Sequence, residues 1–115
     1  MKLPVIALAA ACLAGCAAPS QSDRAAGPVK VLSSTKQAAA VAQCIQVSWQ
    51  NEAMFGATSD VFMHKLDNGG FTVFTTEARY FADVRGGAAD TAIEFFAPAN
   101  DPQAPLRAAA IATCL

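Results

Sequence analysis

The sequence predicts a small α+β domain in which a four-stranded antiparallel meander packs one face against a helix from each end of the domain. Residues 34–49 carry apolar side chains at helical spacing, whereas residues 61–97 divide into short aromatic and β-branched runs separated by turn signals. Three prolines then end the strand region and precede a second, alanine-rich helical segment. The predicted order is therefore α-β-β-β-β-α, with residues 31–115 as the folded domain.

The first helix is predicted to begin near Ser34, because Ser34 and Gln37 have the spacing of a capping box. The positions that follow recur at intervals of three and four residues and form one face, which holds Ala38, Val41, Ala42, Ile45, Ser48 and Trp49. Cys44 lies at the edge of this face, so we expect its side chain to point towards the core.

Four strands are predicted over residues 61–66, 71–76, 79–85 and 91–97. The run from Asp67 to Gly70, with sequence DNGG, is a strong hairpin signal between the first two strands, and a second glycine pair is expected to turn the chain between the last two. Pro102 or Pro105 fits the first turn of a closing helix. Its apolar face is expected to hold Leu106, Ala109, Ala110 and Cys114.

The first sixteen residues have the pattern of an export signal. Lys2 gives a positive start, and residues 3–13 form an apolar run that is too short to span a bilayer, for which about twenty residues are needed. The run ends on Leu13-Ala14-Gly15-Cys16, which resembles the lipobox of bacterial lipoproteins. That resemblance implies cleavage after residue 15, a diacylglyceryl group on the Cys16 thiol and acylation of the new N-terminus. The alternative is an ordinary secretory signal cut near an Ala-x-Ala site, with Cys16 unmodified.

Residues 16–30 are predicted to form a lipidated tether. They contain no apolar period but two prolines, a glycine and small polar residues, and as a flexible coil they would average about 20 Å end to end. Such a coil would allow the domain to lie near the membrane without contacting it. In the lipoprotein family an Asp directly after the lipidated cysteine indicates inner-membrane retention; the Ala17 found here implies the outer membrane, facing the periplasm.

Two cysteines remain in the folded part, Cys44 and Cys114. In an oxidising compartment such a pair predicts a disulfide, here one between the two helices. A reactive thiol pair or half of a metal site are the alternatives, although neither cysteine has another Cys or His at ligand spacing. One cysteine in the first helix, the strand GGFTVF and a terminal cysteine also resemble small proteobacterial envelope lipoproteins, a resemblance that implies no activity.

The sequence contains no recognisable catalytic constellation. His64 is the only histidine, and an ordinary exposed or half-buried side chain is expected there. Glu77, Asp83 and Glu94 lack the local pattern of a glycosidase carboxylate pair. The scattered lysines and arginines and the net charge of −1 argue against a nucleic-acid partner. We therefore expect a protein that is not an enzyme and that holds no metal and no cofactor.

A set of phenylalanines gives the strongest indication of function. If Tyr80 faces the helices, the alternation of a strand places Phe81 on the opposite face, and the same reasoning places Phe74 and Phe96 there. An exposed apolar patch usually marks a contact surface. Two alternatives are a one-residue error in phase and loop residues that cover the patch.

From these observations we expect a non-catalytic envelope lipoprotein, a protein-interaction or assembly accessory module. It would bind the membrane through its lipid anchor and dock another envelope protein, or a second copy of itself, through Phe74, Phe81 and Phe96. The alternative is a periplasmic inhibitor or small-ligand-binding domain that uses the 51–60 loop and the strand ends.

Overall fold

A computed structural model describes residues 18–51 and 60–115 of the chain, so the predicted signal peptide, Cys16 and most of the 51–60 loop lie outside the described residues. The elements in chain order are α1 (Gln21–Arg24), β1 (Lys30–Ser34), α2 (Ala38–Gln50), β2 (Val61–Lys65), β3 (Phe71–Thr75), β4 (Phe81–Gly86), β5 (Thr91–Phe96) and α3 (Ala104–Ala112). This order confirms the α+β class. In the described ranges, no helix has the length and apolar character needed to cross a membrane.

The strands form one antiparallel sheet in the order β1-β5-β4-β3-β2. The four strands from β2 to β5 pair consecutively, as the predicted meander requires. The prediction of four strands is nevertheless wrong, because β1 adds a fifth strand beside β5, with Lys30 opposite Phe95 and Ser34 opposite Thr91. A run of five residues with a partner so distant in the chain gives little local signal.

The segment between β1 and α2 corrects the predicted helix start. Ser34 ends β1, and its hydroxyl accepts a hydrogen bond from the backbone N–H of Lys36 at 3.1 Å, which stabilises the turn. The helix α2 begins four residues later at Ala38, with Gln37 as an N-cap that makes no side-chain capping bond. The Ser34–Gln37 spacing therefore reflects a strand-to-helix turn and not a capping box.

The helices α2 and α3 pack side by side against one face of the sheet. Trp49 from α2 lies at the centre of this layer, where its ring meets Phe95 edge to face with centroids 5.9 Å apart. Its Nε1 donates a hydrogen bond to the backbone carbonyl of Arg107 in α3 at 3.2 Å, which ties the two helices together. The fully buried side chains around it include Val41, Ile45, Val73, Val84, Ile93 and Ile111.

The buried face of α3 differs from the predicted one by about one residue of rotation. Leu106 is 51% exposed, and the buried positions within the helix are Arg107, Ala110 and Ile111. The guanidinium of Arg107 lies 4.8 Å from the centroid of Tyr80 and 5.4 Å from that of Trp49, so cation–π contacts accompany its burial. A pattern that counts only apolar residues misplaces this face because an arginine occupies its centre.

The predicted hairpin between β2 and β3 is confirmed. The backbone N–H of Leu66 donates to the carbonyl of Gly70 at 2.7 Å, and Gly69 adopts a φ of +89°, a conformation that side chains other than glycine rarely adopt. Gly70 is required for a different reason: a Cβ atom there would lie 2.6 Å from the carbonyl oxygen of Val84. The hairpin sequence thus allows β3 to approach β4 closely.

Candidate functional site

The sheet face opposite α2 and α3 carries four phenylalanines, one from each strand from β2 to β5. The strand register sets Phe62 opposite Phe74, Phe74 opposite Phe81 and Phe81 opposite Phe96, and we call this set the aromatic row. The rings of Phe81 and Phe96 stack with centroids 4.4 Å apart, and those of Phe62 and Phe74 lie 5.4 Å apart. The predicted phase of Phe74, Phe81 and Phe96 is therefore correct.

Three of the four rings of the aromatic row are buried, contrary to prediction, and the fourth, Phe62, is half-buried. Phe74, Phe81 and Phe96 are only 4%, 3% and 5% exposed. Residues 18–27, which we call the N-terminal strap, lie against the row: Ala18 packs on it, and the guanidinium of Arg24 lies 5.2 Å from the Phe81 centroid. The prediction of an exposed patch is therefore wrong, and the alternative in which other residues cover the patch is the one found.

A bidentate ion pair fixes the strap to the sheet. Arg24 donates from Nε to Oδ2 of Asp83 at 2.6 Å and from Nη2 to Oδ1 at 2.8 Å. The side chain of Asp83 is 0% exposed and that of Arg24 only 13%, so water screens the pair weakly. The hydrogen bond to Asp83 raises the pKa of Arg24 above its ordinary value.

The strap is ordered by its own short helix as well. The hydroxyl of Ser20 accepts from the backbone N–H of Asp23, and the Asp23 carboxylate accepts from the backbone N–H of Ser20 at 2.7 Å, which together form a capping box. Arg24 also donates from Nη1 to the carbonyl of Pro19 at 2.8 Å. The predicted flexible tether over residues 16–30 is therefore wrong for its described part, residues 18–30.

The next row along the same face is polar. It consists of His64, Thr72, Asp83 and Glu94, each opposite its neighbour on the adjacent strand. Arg85 lies 3.1 Å from Glu94 and 3.6 Å from Asp83, so both carboxylates are engaged in ion pairs, and His64 is exposed at the β2 edge. Glu77 lies apart from this row, in the 3₁₀ turn of residues 76–78. Among residues 18–51 and 60–115, no group of three His, Cys, Asp or Glu side chains could hold a metal ion.

A second polar cluster, missed by the sequence reasoning, fixes the connection from β5 to α3. Tyr80 Oη donates to Oδ1 of Asp101 at 2.7 Å, and Arg79 Nη2 donates to Oδ2 at 2.7 Å. The hydrogen bond from Tyr80 is the main cause of a pKa of Asp101 below its ordinary value, and burial is the main cause of a raised pKa of Tyr80. This cluster positions α3, and no local sequence pattern predicts it.

The predicted disulfide is present. The sulphur atoms of Cys44 and Cys114 are 2.01 Å apart, and their Cα atoms 5.7 Å, across a sequence separation of 70 residues. Cys114 is buried and Cys44 half-buried. The pair is thus a covalent link between α2 and the end of the chain, and neither sulphur is a thiol nucleophile or a metal ligand.

A groove that the sequence reasoning did not predict lies on the helix side of the sheet, between α3 and β1. Its volume is about 460 Å³, within the range of ligand pockets. We call it the helix-side groove; it is lined by Val29, Lys30, Leu32, Phe95, Ala104, Pro105, Ala108, Ala109 and Ala112. The walls are mostly apolar, and the groove exists because the alanines of α3 are too small to fill the space above β1 and β5.

The strand β1 forms an edge of the sheet beside this groove. Within the part of the chain that the structure describes, no strand pairs with its outer side. Val31 in β1 is 64% exposed, and Val29 just before it is 52% exposed. An edge strand with free backbone groups and exposed apolar side chains is a template for pairing with another chain.

Comparisons of the chain with protein-family models, with curated proteins and with solved structures found no match.

Proposed function

We propose that the chain is a lipid-anchored protein of the bacterial cell envelope that acts by binding a partner and not by catalysis. In this proposal residues 1–15 are removed, the acylated Cys16 enters the outer membrane, and the domain faces the periplasm. The lipobox resemblance supports the anchor. The disulfide between Cys44 and Cys114 supports the location, because such bonds persist in oxidising compartments.

The observation that carries the binding proposal is the helix-side groove beside the free edge of β1. An extended segment added to this edge would form main-chain hydrogen bonds with β1 and direct alternate side chains into the groove. The proposed partner is therefore an extended segment of another envelope protein or of a second copy of this chain. This moves the binding surface away from Phe74, Phe81 and Phe96, which lie beneath the strap.

A small apolar ligand is the second candidate for the same groove. Its volume of about 460 Å³ and its mostly apolar lining, in which Lys30 is the one charged residue among those that the structure describes, suit an apolar molecule held mainly by burial of its surface. This version of the proposal corresponds to a periplasmic small-ligand-binding domain.

The test fills the groove with one side chain. Ala109 is exposed and lines the groove, so Ala109→Phe adds a ring there without displacing the core. We expect partner binding to weaken about thirtyfold, the change that about 2 kcal/mol produces. The matched control is Ala39→Phe, at an exposed alanine of α2 that does not line the groove.

Two measurements on the lipidated protein separate the candidates. Crosslinking in intact envelopes, followed by affinity purification, reports a protein partner or a second copy, whereas native mass spectrometry reports a bound small molecule. If either signal is lost in Ala109→Phe and kept in Ala39→Phe, the result supports the helix-side groove as the binding site. Equal signals in both variants and in the unmodified chain contradict it.

A further inference from the structure

We propose that the acylated N-terminus holds this domain directly against the membrane in one orientation, with the strap side of the sheet towards the bilayer and the helix side away from it. The partner in this contact is the lipid surface itself. The inference rests on the proposed lipidation of Cys16 and adds to it the geometry of attachment.

The covalent reach from the lipid to the folded domain is very short. Only Ala17 separates Cys16 from Ala18, and two extended residues span at most about 7 Å. Ala18 in turn packs against the aromatic row. The polar layer of a bilayer is about 5 to 7 Å thick on each side of the hydrocarbon core, so a lipidated Cys16 places Ala18 within this layer or at its surface.

The described chain after Ala18 contributes little additional length. Pro19 is buried, and its carbonyl accepts the hydrogen bond from Arg24, while Arg24 itself is fixed to Asp83 of β4. The capping box of Ser20 and Asp23 orders the residues between them. Because the attachment point is fixed relative to the sheet, the position of the lipid determines which side of the domain lies next to the membrane.

The surface of the strap side suits this position. Val31, opposite Glu94 on this face, is 64% exposed, and Ala25 and Ala26 of the strap are exposed as well. The two sheet carboxylates of this side, Asp83 and Glu94, are each paired with an arginine. Paired carboxylates oppose transfer towards a less polar medium much less than isolated ones do.

The test uses the acylated full chain in nanodiscs of phosphatidylethanolamine and phosphatidylglycerol that contain a lipid with a gadolinium-chelate headgroup. We expect the NMR amide signals of residues 18–27 and 76–81 to be lost through proximity to the metal. Those of α2 and of the hairpin turn at residues 67–70 should remain, since they lie on the opposite face and at the opposite end of the strands.

A matched pair of variants tests whether the short reach is the cause. Ten Gly and Ser residues inserted between Ala17 and Ala18 add about 18 Å of average reach, and the selective loss of signals should then disappear. The same ten residues inserted between Ala88 and Ala89, in the exposed β4–β5 turn, leave the reach unchanged and should preserve the selective loss.

The outcomes separate this inference from the proposed function. Mass spectrometry that finds Cys16 unacylated overturns the lipid anchor and this inference together. An acylated chain whose strap and α2 lose signal equally overturns the orientation alone. Selective loss that persists after insertion at Ala18 also overturns the proposal, because the reach would then not determine the orientation.

Discussion

At the residue scale, the ion pair of Arg24 and Asp83 fixes the strap that lies against the aromatic row. The alternation of the strands was sufficient to group Phe74, Phe81 and Phe96, and the structure confirms that grouping. Ala18 of the strap and Ala78 pack on these rings, and the strap is held by an arginine 59 positions before its aspartate, a relation that no local pattern contains. The spacing of Ser20 and Asp23 was the one local signal that the strap is ordered.

Loss of the strap ion pair is expected to destabilise the domain. In Arg24→Ala the buried Asp83 carboxylate keeps only Arg85, at 3.6 Å, as an ion-pair partner within the described ranges. We therefore expect the free energy of unfolding to fall by about 3 kcal/mol, near the lower end of the range for a broken buried ion pair. That is a large part of the 5 to 15 kcal/mol typical of a whole domain. Urea unfolding measures the loss.

The control for this prediction is Arg85→Ala, because Arg85 also faces Asp83 but is 39% exposed. We expect the free energy of unfolding of that variant to fall by less than about 1 kcal/mol, because exposed ion pairs contribute little to stability. Equal losses in the two variants would show that the strap has no special role in stability.

The cluster around Asp101 predicts a loss of stability in acid. Since the hydrogen bond from Tyr80 lowers the pKa of Asp101 in the folded state, the unfolded state binds a proton more readily. The resulting stabilisation is present above the ordinary Asp pKa of about 3.9 and is lost as the pH falls through the lower folded value.

Urea unfolding between about pH 5 and about pH 2 checks that the free energy of unfolding falls as the pH falls. Asp101→Asn should lower the free energy of unfolding at the upper pH and flatten its decline in acid. Asp67→Asn, at an exposed carboxylate of the hairpin turn, controls for the removal of one negative charge. An acid decline in Asp101→Asn as steep as in the unmodified chain would refute the assignment.

At the scale of elements, the sequence predicted correctly those helices and strands that local sequence patterns determine. The core face of α2 follows from spacing of three and four residues, the four strands of the meander follow from aromatic and β-branched runs between turn signals, and all are present. The strand β1 was missed because a strand of five residues is fixed by its partner β5 and not by its own composition. The face of α3 was misplaced because Arg107 is buried through contacts with two aromatic rings.

The disulfide between α2 and the chain end is expected to contribute about 4 kcal/mol, the chain-entropy value for a closed loop of this length. Replacing Cys44 and Cys114 together by alanine should lower the melting temperature, and reductant should lower it in the unmodified chain. Differential scanning calorimetry measures both shifts. Reductant should leave the double variant unchanged, and an unmodified chain insensitive to reductant would contradict the expected contribution.

At the scale of the whole molecule, three layers lie one above another: the two helices, the sheet and the strap. The first two layers follow from the fold class that the sequence predicts. The position of the strap and the helix-side groove do not follow from the fold class. Each is formed by small residues that lie next to residues distant in the sequence: Ala18 beside the aromatic row, and the alanines of α3 beside β1 and β5. The candidate binding surface consequently moves from one side of the sheet to the other.

The pairing of β1 with β5 has a consequence for the biogenesis of the protein. Lys30, near the beginning of the domain, meets Phe95, near its end, so this pairing closes a long loop at an entropic cost. A polypeptide translocated with its N-terminus leading would hold β1 unpaired until almost the entire chain had emerged. Folding would thus be delayed until passage is nearly complete, a timing compatible with transport of an unfolded precursor.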